Sequence, residues 1–321
     1  MDFYDILLIA LGSAATLVLL FSLVVFFMVF YSPKRPARKD GVYRLPKGKI
    51  YEPYHEKMKE WTQMSREMAH DEVEIISYDG LKLRGRYYRF YDNAPIELML
   101  HGYRGDSERD LAGGVLRAKS VGNNVLLVDQ RASGASEGHV ITFGIREHRD
   151  CISWIDFIIK EIDENAKIIL TGVSMGAATV LMASGCDLPS NVIGVLADCG
   201  YTSPVAIIKD VLRKIHLPVA IFYPFIALSA RIYGGFNLRE FTPCEAVAKT
   251  KLPIIFYHGD SDDFVPYQMS VANYNACASD IKRLVITKGA GHGLCYVVGE
   301  DEYIGELRKF FDFVKENSND R

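Results

Sequence analysis

Six short runs of apolar, mostly β-branched or aliphatic residues recur between residues 96 and 287, and they constrain the fold more than any other feature. The runs are IELML (96–100), NVLLVD (124–129), KIIL (167–170), VIGVLAD (192–198), LPIIFY (252–257) and RLVIT (283–287). Helical segments with one apolar face separate them, for example residues 144–162, where Ile152, Ile155 and Ile159 share a face. Apolar strands alternating with such helices predict a mostly parallel sheet that is covered by helices on both faces.

A hairpin precedes these strands. Residues 72–89 read EVEIISYDGLKLRGRYYR, two alternating runs joined at Asp79-Gly80, and an Asp-Gly pair between such runs is typical of a tight β-turn. The hairpin therefore predicts an antiparallel edge at the N-terminal side of the sheet. Reactive groups in open α/β sheets lie beyond the carboxyl ends of the strands, so we expect the functional site at those ends.

The N-terminus differs from the rest of the chain. Residues 6–31 are 26 consecutive uncharged and mostly apolar residues, about 39 Å as a helix against a hydrocarbon core of about 30 Å. A cleaved signal peptide is the alternative, but it would begin with basic residues and have a shorter apolar run, whereas this chain begins with Asp2 and Asp5. We predict a single-pass transmembrane anchor over residues 1–31.

A basic, proline-containing linker is predicted over residues 32–50. Asp40 is its only acidic residue, and its cations are Lys34, Arg35, Arg38, Lys39, Arg44, Lys47 and Lys49. Basic residues on this flank predict that the domain after the anchor lies in the cytoplasm, and they suit contact with anionic headgroups as well as a solvated linker. Six scattered cysteines without metal-ligand spacing agree with a reducing compartment. We predict no metal and no cofactor.

Two further segments flank or interrupt the α/β pattern. Residues 51–71 are predicted to form an amphipathic helix whose apolar stripe includes Met58 and Trp61, followed by a catalytic domain over residues 72–321. Residues 203–243 are predicted to form a helical cap over the sheet. Residues 217–230 in it are uncharged but too short for a membrane span, which needs about 20 residues. The alternative is a segment that dips into the membrane surface.

A serine, a group of acids and a histidine follow successive strands. Ser174 lies in TGVSMGA (171–177), and His292 lies in KGAGHG (288–293). A serine hydroxyl becomes a nucleophile when an imidazole takes its proton and a carboxylate orients that imidazole. Glycines two residues on either side of Ser174 allow the strand and the next helix to pass closely, and the N–H of Met175 at the helix start would face a developing oxyanion.

The residues alone do not decide which acidic residue orients the imidazole of His292. HGDSDDFVP (258–266) contains Asp260, Asp262 and Asp263, and Asp198 ends an earlier strand. Two other histidines, His101 and His258, each precede a glycine at a strand end. We interpret both as structural residues that hold loops by hydrogen bonds.

From about residue 72 to 316, these motifs resemble those of an α/β-hydrolase of the esterase/lipase and serine-aminopeptidase-like branch. The family loop H-G-x-x-D-x-x-V-P implies Asp262 as the acid, with Asp198 as the fallback because some relatives move the acid to that strand. The resemblance assigns HGYRG (101–105) to a second oxyanion N–H, that of Tyr103. DQRASGASEG (129–138) is similar to a family loop that usually has glycine where Ala132 stands. The anchor together with YDGLKLRG (78–85) resembles membrane-tethered members.

The resemblance implies a serine hydrolase that cleaves a small-molecule or lipid-like carboxylic ester through an acyl-enzyme. An acyl-thioesterase and an aminopeptidase-like amidase are the alternatives, the latter disfavoured because residues 233–246 offer only Glu240 and Glu245 for a substrate ammonium. A catalytically silent, membrane-tethered binding module would be expected to lack Ser, Asp or His. The net charge of −3 argues against a nucleic-acid partner.

Overall fold

The computed structural model of the chain describes residues 2–33 and 42–318. Four of the basic linker residues, Lys34, Arg35, Arg38 and Lys39, lie outside the described residues. The helices are α1 (Phe3–Val29), α2 (His55–Glu67), α3 (Ser107–Ser120), α4 (Glu147–Phe157), α5 (Met175–Ser184), α6 (Pro204–Lys214), α7 (Val219–Ile232), α8 (Pro243–Val247), α9 (Gln268–Ala276), α10 (Cys295–Val298) and α11 (Glu300–Ser318). The strands are β1 (Asp71–Ile76), β2 (Lys82–Tyr88), β3 (Ile96–Leu100), β4 (Asn124–Asp129), β5 (Ile168–Val173), β6 (Val192–Asp198), β7 (Ile254–Gly259) and β8 (Lys282–Thr287).

In the described residues these eight strands form one sheet in the order β1-β2-β4-β3-β5-β6-β7-β8. The hairpin β1–β2 is antiparallel, β2 pairs antiparallel with β4, and the remaining neighbours are parallel. The predicted mostly parallel sheet with an antiparallel N-terminal hairpin is confirmed. β5 extends three residues beyond the predicted run because Thr171, Gly172 and Val173 still pair with β6.

Helices cover both faces of the sheet, which explains why β3, β4 and β7 are buried along their whole length. Successive side chains of a strand point to opposite faces. Leu98 of β3 accordingly joins the cluster that contains Trp154 of α4, whereas Met99 joins the cluster that contains Val115 of α3. The carboxyl ends of the strands remain free of these layers and carry the loops described below.

Helix α2 lies within the predicted amphipathic segment and packs on α3. The indole ring of Trp61 occupies the space that a side chain at Gly113 would need, and it stacks on Tyr296 with ring centroids 5.2 Å apart. The apolar stripe of this helix is therefore a packing face.

Helix α1 is apolar and long enough to cross a membrane. A membrane span and an N-terminal signal sequence both have this character. Its first part, residues 3–20, is exposed, whereas Ser22, Val25, Phe26 and Phe30 form a buried face from there on. This second half packs on the cap helix α7, where the ring of Phe21 lies edge-on to Phe225 with centroids 4.8 Å apart. α1 is thus partly integrated into the domain.

Candidate active site

Ser174 lies between β5 and α5, on a turn too sharp for ordinary backbone geometry. Its φ of 57° and ψ of −116° are rare for a residue with a side chain, and such strain is typical of functional positions. Gly172 and Gly176 make the turn possible: a side chain at Gly172 would collide with the carbonyl of Gly176, and one at Gly176 with the carbonyl of Leu100. The turn presents the Ser174 hydroxyl at the carboxyl edge of the sheet.

His292 follows β8 and reaches both Ser174 and Asp262. Its Nε2 lies 2.8 Å from Oγ of Ser174, and its Nδ1 lies 2.7 Å from Oδ2 of Asp262. Since a carboxylate only accepts, we assign the proton to Nδ1 and leave Nε2 free to accept from the hydroxyl. Gly259 allows this approach, because a side chain there would collide with the backbone of Ala290 beside the histidine loop.

Asp262 is almost fully buried and is held by several donors. The N–H groups of Phe264 and Val265 donate to Oδ1 at 2.9 and 2.8 Å, and Nε2 of His258 lies 3.1 Å from Oδ2. Burial acts to raise the pKa of Asp262, but the hydrogen bonds from His258 and His292 outweigh it and hold the pKa well below its usual value. The carboxyl group is therefore ionised at neutral pH.

The other acids are placed differently. Asp260 accepts from the N–H of Gly289 at 2.7 Å on the exposed surface, and Asp263 is also exposed. Asp198 is buried beneath the site, where its Oδ2 accepts from the hydroxyl of Tyr303 at 3.3 Å. Burial raises the pKa of Asp198. Of the four acids left open by the sequence, Asp262 is the one bonded to His292.

His258 has a larger part in this arrangement than the sequence indicated. Its Nε2 faces both Asp262 and the carbonyl of Val265, at 3.1 and 2.8 Å, so it carries a proton, and its Nδ1 lies 2.7 Å from the Ser270 hydroxyl. His258 thus holds the acid as well as the loop. His258 lies in β7, four residues before Asp262 in the loop that follows, and this short spacing is the signal that could have revealed the contact.

The loop after β3 lies against Ser174. A Cβ atom at Gly102 would be 3.7 Å from Ser174 Oγ. Asp110 of α3, which the sequence reading missed, anchors this loop by accepting from the N–H of Gly102 at 3.0 Å. Among the described residues, no acceptor takes the N–H of Tyr103 or of Met175. Both donors are therefore available to a substrate oxygen.

His101, at the start of the same loop, is a structural residue as expected. Its Nε2 accepts from the N–H of Gln130 at 3.0 Å, and its Nδ1 donates to the carbonyl of Gly102 at 2.8 Å. The ring joins the ends of β3 and β4 and takes no part in the Ser174–His292 contact.

An apolar cavity of about 420 Å³ opens on one side of Ser174. Besides Ser174, aliphatic and aromatic side chains line it. They come from three parts of the chain: the second half of α1, the cap between Ile207 and Ile226, and loop residues such as Tyr103, Phe143 and Val265. Such a lining suits a hydrocarbon group, since water gains no hydrogen bonds there.

A second cavity, of about 680 Å³, also borders Ser174 and is the more polar of the two, and we call it the polar cavity. Residues 46–51 contribute Lys47, Lys49 and Tyr51 to its lining, and His292 and Asp263 line it as well. Ile50 seats this segment by filling the space that a side chain at Gly291 would need. Burial raises the pKa of Tyr51, so its hydroxyl stays protonated and able to donate.

Cys199, Asp262 and His292 each bring one ligand atom within 4.8 Å of the others. Burial raises the pKa of the Cys199 thiol well above its usual value, which disfavours the thiolate that a metal needs. Asp262 and His292 already use the relevant atoms in their mutual hydrogen bond. The donor set therefore fits a proton relay better than a metal site.

Comparison with known proteins adds the family context. The model of the prolyl oligopeptidase family (Peptidase_S9) matches residues 142–321, which include Ser174, Asp262 and His292. The uncharacterized protein YqkD of Bacillus subtilis is 24% identical over 315 residues, which cover 98% of each chain. The thiohydrolase aneE of Aspergillus aculeatus is 34% identical over 130 residues, which cover 39% of this chain and 41% of that protein.

Solved structures share the fold. The esterase Pf2001 of Pyrococcus furiosus superposes with a TM-score of 0.62 at 20% identity, covering 88% of this chain and 97% of that one. Est1E of Butyrivibrio proteoclasticus, solved with ferulic acid, gives a TM-score of 0.57 at 21% identity, covering 74% and 97%. The predicted α/β-hydrolase fold is thereby confirmed. Because the family model spans more than half of the chain, this α/β hydrolase belongs to the prolyl oligopeptidase family.

Proposed function

We infer that the protein is a serine hydrolase that cleaves acyl esters through an acyl-enzyme. The observation that carries this proposal is the continuous hydrogen-bonded chain Ser174–His292–Asp262, with contacts of 2.8 and 2.7 Å, on a strained turn at the carboxyl edge of the sheet. An ionised Asp262 fits the role of orienting His292 and stabilising its positive charge.

The reaction runs in two halves. Oγ of Ser174 attacks the carbonyl carbon while its proton moves to Nε2 of His292, and the N–H groups of Met175 and Tyr103 stabilise the oxyanion. The C–O bond to the alcohol breaks as His292 returns that proton to the leaving oxygen. Water then attacks the acyl-enzyme in the same way, giving the carboxylic acid and free Ser174.

The apolar cavity supports an acyl group of moderate to long chain, and the polar cavity, which also borders Ser174, supports the leaving group. The apolar helix α1 supports a single-pass anchor, with the catalytic domain, the predicted unit 72–321, on the cytoplasmic side. The substrate is then a small-molecule or lipid-like ester close to a membrane.

Two alternatives within the hydrolases have specific support. A relative named a thiohydrolase favours a thioester substrate, for which the same acyl cavity would serve. The family name favours a peptide bond, but Glu240 and Glu245 line neither cavity, and Glu240 lies 3.7 Å from Arg149. Asp210, the other acid described in the cap, lines neither cavity either, so the described cap residues offer a substrate ammonium no acidic partner there. We therefore rank the amidase below the two acyl hydrolases.

The test is the Ser174→Ala variant of the full chain. We expect fluorophosphonate labelling to disappear and turnover of p-nitrophenyl esters and matched thioesters to fall by at least about 10⁴-fold. Ser153→Ala, a change of the same kind on α4, serves as the control and should label normally. Undiminished labelling of a folded Ser174→Ala variant would refute the proposal, and a wild-type protein that folds but never labels would favour a silent binding module.

A further inference from the structure

Helix α1 forms part of the wall of the apolar cavity beside Ser174. Five residues of this helix contribute to the lining, namely Phe21, Val24, Val25, Met28 and Val29. Val25 is almost completely buried there, with 8% of its surface exposed. The helix that is long enough to span a membrane is therefore also a wall of the candidate substrate site.

The end of α1 is bonded to the loop that carries the Tyr103 N–H. The hydroxyl of Tyr103 donates to the carbonyl of Val29 at 2.6 Å, and the guanidinium of Arg104 donates to the carbonyls of Met28 and Tyr31 at 2.8 and 3.1 Å. The last carbonyls of a helix have no partner within the helix, and a cation near them is favourable. These bonds fix α1 against the Ser174 region.

The length of the exposed part of α1 indicates where the opening of the apolar cavity, its mouth, lies relative to a membrane. Residues 3–20 rise about 27 Å as a helix, close to the roughly 30 Å of a hydrocarbon core. The lining of the cavity begins at the next residue, Phe21. The mouth therefore lies near the boundary between hydrocarbon and headgroups when residues 3–20 span the bilayer.

The rim of the mouth is apolar and exposed. Four residues that line the cavity are also exposed, namely Val24 and Met28 of α1, Ile215 and Phe264, with exposures of 54, 67, 57 and 42%. Exposed apolar side chains around a concave apolar site are costly in water and favourable against lipid. The cavity is thus continuous with the surface that α1 presents to the bilayer.

We propose that the second half of α1 forms the outer wall of the acyl site, and that the substrate is an acyl ester dissolved in the membrane that holds α1. The acyl chain enters sideways through the rim and reaches Ser174 without crossing water. The inference rests on the proposed function, because it specifies where the hydrolysed ester comes from.

The first test changes the wall. In the full chain, Val25→Trp fills the cavity, so the ratio of kcat/KM for p-nitrophenyl dodecanoate to that for the acetate should fall at least about 10-fold. Val18→Trp, the same change two turns earlier at a position outside the lining, should leave the ratio unchanged. Val25→Ala removes bulk with little risk to folding and should raise the ratio. A ratio unchanged in folded Val25→Trp, or in Val25→Ala if the first variant misfolds, overturns the proposal.

The second test concerns the route. The full chain is reconstituted in phosphatidylcholine vesicles, and a two-chain fluorogenic glyceride is placed either in the same vesicles or in separate ones. We expect hydrolysis in the shared bilayer to exceed that across vesicles by at least about 10-fold, because a shared membrane raises the effective substrate concentration. Equal rates would overturn entry from the membrane, as would an intact mass showing that residues 1–31 are removed.

The Ser174→Ala variant distinguishes a failure of the proposed function from a failure of the proposed role of α1. If it still hydrolyses the esters, the proposed function fails. If it is inactive while Val25→Trp keeps the wild-type ratio, the proposed function stands and the role of α1 as a wall fails.

Discussion

The two cavities that meet at Ser174 differ in the chemistry of their walls. Helices from the cap and α1 present hydrocarbon to one of them. A turn, residues 46–51, presents lysines and a tyrosine hydroxyl to the other, which His292 also lines. The ester that we propose as the substrate divides at its carbonyl into an acyl half and an alcohol half, and the two cavities suit that division.

The difference also separates the residues that carry out the reaction from those that select the substrate. Ser174, Asp262 and His292 all follow strands of the sheet, so the sheet fixes their geometry. The apolar and polar walls come mainly from segments outside the sheet: α1, the cap and the segment 46–51. Changes in the relay should therefore affect every substrate alike, and changes in a wall should affect one half of the substrate.

The largest expected effect comes from changing Asp262, because its hydrogen bond with His292 is needed whichever groups occupy the two cavities. Asp262→Asn should lower kcat by about 10³- to 10⁴-fold for short, long, neutral and charged esters alike, because the amide no longer holds His292 in the required tautomer. Asp198→Asn is the matched control and should change kcat by less than about 3-fold, since Asp198 accepts from Tyr303, and His292 is bonded to Asp262 instead. Steady-state kinetics on variants with unchanged far-UV circular dichroism would measure both effects. A larger loss of kcat in Asp198→Asn than in Asp262→Asn would identify Asp198 as the acid that orients His292.

A smaller effect is expected from the polar wall alone. Lys47→Gln combined with Lys49→Gln should raise KM for esters with an anionic leaving group about 3- to 5-fold at low salt, because exposed ion pairs contribute a few tenths to about 1 kcal/mol each. Esters with a neutral leaving group should be unaffected. Lys160→Gln combined with Lys167→Gln, at the opposite end of the sheet, is the control. Equal effects on both ester types would show that the polar cavity does not receive the leaving group.

The smallest effect is expected from changing Ala132, which packs behind the apolar cavity. Ala132 has a φ of 59° and belongs to the buried cluster that contains Phe26 of α1. Ala132→Gly relieves about 1–2 kcal/mol of left-handed strain but loses about 0.8 kcal/mol of methyl burial and adds unfolded-state entropy. The free energy of unfolding should therefore change by less than about 1 kcal/mol in urea titrations. A loss above about 2 kcal/mol would indicate that the methyl group is essential to packing behind the cavity.

Much of the fold was predictable because its signals are local. β3, β4 and β6 begin and end where their apolar runs predict, since a strand buried on both faces must be apolar throughout. The turn at Ser174 was equally readable, because glycines at fixed offsets are a steric requirement. The bond of Asp110 to the Gly102 N–H was missed because the two residues belong to separate elements that meet only after folding. The contact between His258 and Asp262 spans only four positions, and it was missed because His258 was interpreted only as a residue that holds its loop.

The sequence by itself determined the alternation of strands and helices, the apolar N-terminal helix and the order in which Ser174, Asp262 and His292 follow their strands. Periodicity, turn chemistry and hydropathy act over a few residues, so they can be read along the chain. Only the tertiary structure decided which acid bonds His292, that residues 46–51 form the polar wall, and that α1 forms part of the apolar one. Those contacts join residues up to about 240 positions apart, such as Ile50 and Gly291, and no local pattern specifies a pairing that depends on how the whole chain packs.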